Sequence, residues 1–167
     1  MAVSTRPTRA FYLVVAGLLL LLDQASKLLV AQSFALGETH PIIPGLFTLT
    51  HVQNRGAAFG LFANFSSPFV LVFLILFSAT ALGLVVLLLW RGPGSRLAGW
   101  GLGLILGGAL GNLLDRLRSG TVVDFLDFHL GAHHWPTFNL ADSAIVLGAL
   151  ALMVEILRGH RKRHSEA

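Results

Sequence analysis

The stretch at 68–90, PFVLVFLILFSATALGLVVLLLW, runs for 23 residues without a charged side chain. About 20 mostly apolar residues are enough for a helix to cross a bilayer core roughly 30 Å thick. The proline at its first position is tolerated in the first turn of a helix. The stretch therefore predicts a transmembrane helix. The composition of the 167-residue chain agrees, since 54% of it is hydrophobic, 12% is charged and the mean hydropathy is +0.74.

Three further apolar runs, at 10–31, 97–114 and 140–157, have the length of short or ordinary spans. The first also resembles the apolar region of a secretory signal. However, Asp23 and Lys27 interrupt it and no convincing cleavage site follows, so we expect an uncleaved helix. The predicted fold is an all-α integral membrane protein, a single domain over 1–167 with four transmembrane helices.

The basic residues indicate the orientation of these helices. Eight flank one end of the runs: Arg6, Arg9, Arg91, Arg96, Arg158, Arg161, Lys162 and Arg163. Because cytoplasmic loops carry an excess of lysine and arginine, both termini are expected in the cytoplasm, and segments 32–67 and 115–139 outside it. The net charge of +4 is thus explained by topology, and no nucleic-acid partner is expected.

The first outer segment is too long for a simple turn. Residues 46–53, LFTLTHVQ, are rich in β-branched and aromatic residues, and turn signals lie on either side, at 44–45 and 54–56. We therefore expect a small extracytoplasmic β-strand platform, a strand pair that rests on the membrane or on the helix ends.

Polar residues within the spans are the first candidates for function. Asp23 and Lys27 are four residues apart and therefore share a helix face. Such intramembrane charges are expensive and either lock a fold or serve a site. Glu155 is better explained as interfacial. Gly99, Gly103, Gly107 and Gly111 form a stripe that predicts close helix packing and ends beside Asn112 and Asp115.

Aspartates also stand at the predicted outer face. Asp124 and Asp127 lie among apolar residues, and Asp142 opens the fourth helix. Two carboxyl groups held close together share a proton, and the ionised one can activate a water, which is the chemistry of aspartic peptidases. A structural alternative exists for Asp142, because Asn139 followed three residues later by an acid is typical of a helix capping box. Local sequence does not separate Asp124 from Asp127.

Other catalytic chemistries fit less well. The chain has no cysteine, which excludes thiolate nucleophiles and sulfur-ligated metals. His129, His133 and His134 are clustered, and His129 and His133 have the i, i+4 spacing of a helix. However, Gly131 between them and the nearby Trp135-Pro136 make a helix unlikely, and a zinc site needs three or four convergent ligands. Ser143 lacks a local nucleophile signature. No metal or other cofactor is expected.

Five motifs together carry a resemblance to a known family. In chain order they are DQASK at 23–27, NRGAAFG at 54–60, GGALGNLLDR at 107–116, VVDF at 122–125 and FNLADS at 138–143. In these motifs and their order the chain resembles bacterial lipoprotein signal peptidase, also called signal peptidase II. The resemblance implies a membrane aspartic endopeptidase of the bacterial cytoplasmic (inner) membrane, with its active site near the outer face. It would remove the signal peptide from diacylglyceryl-modified prolipoproteins by cleaving before the lipobox cysteine.

The same resemblance implies the roles of single residues. Asp124 and Asp142 would form the catalytic pair. The residues that would bind substrate or support the pair are Asp23, Lys27, Asn54, Asn112, Asp115, Arg116 and Asn139. Membrane lipids and the lipid-modified proprotein are the expected partners, and a monomer is the expected state.

Two other functions remain open. A small transporter or proton-translocating subunit would use intramembrane charges near the midplane, with Asp23, Lys27, Asp142 and Glu155 as its candidates. A non-catalytic assembly subunit would need neither aspartate.

Overall fold

The computed structural model describes residues 7–56 and 68–165. Residues 57–67, which include the second half of the motif at 54–60, lie outside the described part. The elements, in chain order, are α1 (Arg9–Ser33), β1 (Thr39–Ile43), β2 (Phe47–Asn54), α2 (Pro68–Arg91), α3 (Arg96–Ser119), β3 (Val122–Leu130), β4 (His133–His134) and α4 (Leu140–Ser165). The predicted class, four long helices with a small sheet, is confirmed.

All four helices are long and apolar enough to span a membrane. On α2, large side chains such as Phe69, Phe73 and Phe77 are more than half exposed. Exposed phenylalanines of this kind suit a surface that faces lipid chains rather than water. The chain is therefore a multi-pass membrane protein in which the buried interior lies mainly around α3.

The predicted glycine stripe of α3 packs against α1. A Cβ at Gly103 would lie 3.1 Å from the carbonyl oxygen of Tyr12, and one at Gly107 would lie 2.6 Å from that of Ala16. Small residues at these positions allow the two backbones to approach closely. The stripe ends at Gly111, where an added Cβ would meet the carboxylate of Asp23.

A second glycine face on α3, which was not predicted, packs against α4. A Cβ at Gly101 would lie 2.8 Å from the carbonyl oxygen of Gly148, and one at Gly108 would meet the carbonyl oxygen of Ala141. The helix α3 therefore lies between α1 and α4 and brings its polar residues near the first turn of α4.

The end of α3 differs from the prediction. Hydropathy places it at residue 114 and assigns 115–119 to the outer segment, but α3 continues to Ser119. Gly120 ends it in a left-handed conformation with φ of 73°, where its N–H donates to the carbonyl oxygen of Arg116. Charged residues end an apolar run without ending a helix, so the predicted end of this helix at 114 is corrected to Ser119.

The sheet is larger than the predicted strand pair. It has four antiparallel strands in the order β1-β2-β3-β4. The predicted strand at 46–53 corresponds to β2, and Gly45, with φ of 77°, forms the predicted turn before it. The additional strands β3 and β4 lie in the second outer segment, and β3 pairs with β2. We call the end of the helix bundle that carries this sheet the sheet end.

Candidate active site

Asp124 is held in the interior by two amide side chains. It lies on β3 with 1% of its surface exposed. Its Oδ2 accepts a hydrogen bond from Asn54 Nδ2 at 2.9 Å, and its Oδ1 accepts one from Asn139 Nδ2 at 2.7 Å. Burial, reinforced by the charge of Asp142, raises the pKa of Asp124 to about 7, although both hydrogen bonds act in the opposite direction. A large fraction of Asp124 is therefore protonated at neutral pH.

Asp142 takes part in both a helix cap and the site. Its backbone N–H donates to Asn139 Oδ1 at 2.9 Å, and its own Oδ2 accepts from the N–H of Asn139 at 3.2 Å. This reciprocal pair is a capping box, so the structural alternative is present. Its second oxygen, Oδ1, accepts from Asn112 Nδ2 at 2.8 Å. The cap therefore holds the carboxyl group of Asp142 in place without excluding a further role.

Asn139 joins the two aspartates. Its side-chain nitrogen donates to Asp124 and its backbone nitrogen donates to Asp142. The residue is fully buried, and it stands directly before α4. One short residue thus brings together two carboxyl groups that are 18 positions apart in the chain.

Lys27 orients the amide that contacts Asp142. Its Nζ lies 2.8 Å from Asp23 Oδ2 and 2.7 Å from Asp115 Oδ2, and donates to Asn112 Oδ1 at 2.9 Å. Because the amide oxygen of Asn112 is bound to this cation, its Nδ2 group points towards Asp142. The predicted pair of Asp23 and Lys27 is therefore part of a network that reaches the site.

Arg116 connects α3 to the chain that follows β2. Its Nη2 donates to the carbonyl oxygen of Gly56 at 2.7 Å and its Nη1 to that of Asn112 at 3.3 Å. The N–H of Gly56 donates to Asn54 Oδ1 at 2.8 Å, which forms the turn predicted at 54–56. Arg116 also lies within electrostatic reach of both Asp124 and Asp142. It thereby fixes the residues that carry the Asn54 amide.

The site concentrates charge in a small volume. It contains four carboxyl groups and two cations: Asp23, Asp115, Asp124, Asp142, Lys27 and Arg116. With one proton on the aspartate pair, three negative charges face two positive ones. Ionising both Asp124 and Asp142 in this buried setting would be costly, which favours one proton shared between these two carboxyl groups.

The structure separates Asp127 from this site. Asp127 lies three residues after Asp124 on β3, so the two side chains leave the strand on opposite faces. Its carboxylate contacts His134 Nδ1 at 2.9 Å. His129 stacks on His134 with ring centroids 4.5 Å apart, and its Nε2 lies 3.1 Å from Thr48 Oγ1. The histidines therefore brace the β3–β4 hairpin.

The alternative chemistries gain no support from their local geometry. Within residues 7–56 and 68–159, no group of three or more His, Cys, Asp or Glu side chains is placed to hold a metal ion. Ser143 Oγ donates to the carbonyl oxygen of Asn139 at 3.0 Å, within the first turn of α4.

An apolar groove leads to Asp142. It has a volume of about 360 Å³, and its lining residues are Trp135, Phe138, Asp142, Ser143, Val146 and Leu147. It lies beside the first two turns of α4, and Asp142 is one of its lining residues.

Sequence reasoning missed Gln24. Its Nε2 donates to Asp115 Oδ1 at 2.8 Å, and its Oε1 accepts from Arg118 Nη1 at 3.0 Å. It lies between Asp23 and Lys27 in the motif at 23–27, and this position is the sequence feature that could have indicated its role. Asp23 in turn accepts from the N–H of Ala141 at 3.0 Å, so α1 also holds the start of α4.

Known proteins resemble the chain over nearly its whole length. A family model described as Signal peptidase (SPase) II matches residues 15–158. A lipoprotein signal peptidase of Desulforapulum autotrophicum is 48% identical over 86% of this chain and 89% of its own. One of Geobacter sulfurreducens is 46% identical over 95% of this chain and 98% of its own.

The fold comparison agrees. A bacterial membrane enzyme, solved by the in meso method at 2.3 Å resolution, superposes with a TM-score of 0.78 at 27% identity. The superposition covers 89% of this chain and 88% of that one. With the family model spanning all four helices and the sheet, this chain belongs to the signal peptidase II family.

Proposed function

We propose that the chain removes the signal peptide from diacylglyceryl-modified prolipoproteins by cutting before the lipobox cysteine, with Asp124 and Asp142 as the catalytic pair. The observation that carries the proposal is the double hydrogen bond of Asn139 to both carboxyl groups. It holds two acids together in a setting where one of them keeps a proton.

The two aspartates would divide the chemistry. Asp142 accepts hydrogen bonds from Asn112 and from the N–H of Asn139, and it lies at a helix N-terminus, which favours Asp142 over Asp124 as the carrier of the negative charge of the pair. It takes a proton from a water that attacks the scissile carbonyl carbon. Asp124, protonated, donates to the carbonyl oxygen. The tetrahedral intermediate then breaks the C–N bond as the leaving amine receives a proton from the pair.

The supporting residues act through the pair. Lys27 turns the amide of Asn112 towards Asp142, and Asp23 and Asp115 hold Lys27. Asn54, at the end of β2, holds Asp124, and Arg116, on α3, holds the turn that follows at Gly56; we propose that both form part of the substrate cleft. None of these steps requires a cofactor.

The substrate class fits the groove beside Asp142. A proprotein that carries acyl chains stays in the bilayer, and an apolar groove on the lipid side of α4 offers it a path to the pair. We further propose that both termini are cytoplasmic and that the sheet end faces outward from the inner membrane. In support, Arg9, Arg91, Arg96 and Arg158 stand at or near the helix ends away from the sheet, and Arg55, Arg116 and Arg118 stand at the sheet end, so the larger number of arginines lies on the proposed cytoplasmic side. The active unit is expected to be a single-domain monomer.

The test is a cleavage assay with purified chain in lipid vesicles. The substrate is a proprotein with a diacylglyceryl group on the lipobox cysteine, and mass spectrometry locates the new ends. We expect a single cut directly before the modified cysteine, and no cut in the same proprotein without the lipid. An intact lipid-modified substrate, or a cut elsewhere, would contradict the proposal.

A further inference from the structure

The turns of two hairpins, β1–β2 and β3–β4, meet at the strand ends that lie farthest from Asp124. The N–H of His129 donates to the carbonyl oxygen of Leu46 at 2.9 Å, and the N–H of Gly131 donates to that of Gly45 at 3.3 Å. The turn after β1 and the turn after β3 thus form one continuous surface. We call residues 42–46 and 130–132 together the double tip.

The double tip is apolar and open. Its large side chains are between 46% and 76% exposed, and they are Ile42, Ile43, Leu46 and Leu130. Segments 41–50 and 128–132 contain no aspartate, glutamate, lysine or arginine. Contiguous exposed apolar groups of this kind mark a surface that meets a protein or a membrane.

The position of Trp135 identifies the bilayer as the partner. Trp135 is fixed to β3, because its N–H donates to the carbonyl oxygen of Phe128 at 2.8 Å, two residues before Leu130. Its side chain lines the same groove as Val146 of α4. Val146 lies six residues into α4, or about 9 Å along the helix axis.

The chain between β4 and α4 therefore lies beside the first two turns of this helix. Phe138, which lines this groove, stacks on Phe128 of β3 with ring centroids 5.8 Å apart. Phe128 and Leu130 are two residues apart and therefore share one face of the strand that ends in the double tip. Tryptophan is enriched where a protein crosses from lipid chains to headgroups. The apolar surface of the double tip is thus continuous with the groove beside α4, a helix that would face lipid.

We propose that the double tip inserts into the boundary between headgroups and acyl chains of the leaflet at the sheet end. The apolar side chains are removed from water there, and the two turns keep their hydrogen bonds to each other. Asp124 and Leu130 lie on the same strand, about 20 Å apart at 3.3 Å per residue. The insertion therefore holds the sheet, and Asp124 with it, at a fixed depth relative to the membrane surface.

The absence of cysteine from the chain allows a direct test. Leu130→Cys and Ile43→Cys each accept one environment-sensitive fluorophore such as NBD. Thr39→Cys is the matched control, because Thr39 is exposed at the other end of β1. The labelled proteins are reconstituted into vesicles of phosphatidylethanolamine and phosphatidylglycerol. Lipids with a doxyl group near the headgroup and aqueous iodide serve as quenchers.

The proposal predicts blue-shifted emission at positions 43 and 130, with quenching by the doxyl lipid several-fold stronger than at position 39. Iodide should quench the control and spare the other two labels. Labels at 43 and 130 that respond to iodide as the control does would overturn the proposal. Labels shielded from both quenchers would overturn it as well, because they would indicate a protein partner such as a second copy of the chain. The measurement does not depend on catalysis, so its outcome is separate from that of the cleavage assay.

Discussion

The proton on Asp124 sets the pH range of the proposed reaction. Burial and the charge of Asp142 raise the pKa of Asp124 to about 7, so the group loses its proton as the pH rises through neutrality. Two adjacent carboxylates then repel each other, and the donor to the substrate carbonyl is gone. We expect kcat/KM to fall on the alkaline side with an apparent pKa near 7, a value that belongs to the pair.

We expect kcat/KM to fall at acidic pH as well, because protonation of the second carboxyl group of the pair removes the base that activates the water. The measurement is kcat/KM for the lipid-modified substrate between pH 4 and 9, with vesicle integrity checked at each pH. A rate that stays flat from pH 6 to 9 would count against a shared proton.

Lys27 does not contact the aspartate pair directly, but its replacement should lower the stability of the bundle. It is nearly buried, and it pairs with Asp23 and Asp115. Lys27→Met leaves both carboxylates without their cation, which costs about 3–5 kcal/mol for a buried pair. Unfolding in a denaturing detergent measures the change. The control is Arg118→Met, because Arg118 is exposed and should cost below about 1 kcal/mol. Equal losses would show that the Lys27 network does not stabilise the bundle.

At the scale of single residues, the features that could be predicted from the sequence were those formed between residues close together in the chain. The capping box of Asn139 and Asp142 and the pairing of Asp23 with Lys27 were readable from spacing, and both occur. Asp124 and Asp127 could not be separated from the residues alone. What separates them physically is the face of β3 on which each lies, and that face depends on a strand that was not predicted.

Among the elements, α3 depends most on the absence of side chains. At Gly107 a Cβ would lie 2.6 Å from the carbonyl oxygen of Ala16 and 3.0 Å from Leu19 Cβ. Gly107→Ala should therefore push α1 away and cost about 1–3 kcal/mol. Gly83→Ala on α2 is the control, because nothing lies within 4 Å of that added Cβ.

The two variants are compared by thermal unfolding in the same detergent. Gly83→Ala is expected within about 0.5 kcal/mol of the parent chain, as is usual at an open position. A Gly107→Ala protein as stable as Gly83→Ala would mean that α1 and α3 do not pack through the stripe.

Element types were easier to predict than element ends and pairings. Apolar runs indicated all four helices, but hydropathy could not show that α3 continues through Asp115 and Arg116 to Ser119. Both charged residues have partners in this last part of the helix: Asp115 pairs with Lys27, and Arg116 donates to the carbonyl oxygen of Gly56. The strand β3 was missed because its partner β2 lies about 70 residues earlier in the chain, and no local pattern encodes that pairing.

For the whole molecule, the orientation in the membrane is open to a direct test. The proposal places the sheet end outside and the α2–α3 turn in the cytoplasm. In cells, Thr39→Cys should react with a membrane-impermeant maleimide at once, and Gly94→Cys only after permeabilisation. Both positions are at the surface, and a Cβ at Gly94 meets nothing within 4 Å. The reverse pattern of labelling would invert the proposed topology.

The proposed reaction requires Asp124 and Asp142 as the reacting pair, and conservative substitution tests that requirement most directly. Asp124→Asn and Asp142→Asn keep the shape of each side chain but remove the acid, and each should lower cleavage of the lipid-modified proprotein by about 10²–10⁴-fold. Asp127→Asn is the matched control on the same strand as Asp124, where it loses only its contact with His134. This control is expected to cleave within a few-fold of the parent chain. Normal cleavage by folded Asp124→Asn or Asp142→Asn would contradict the proposed reaction.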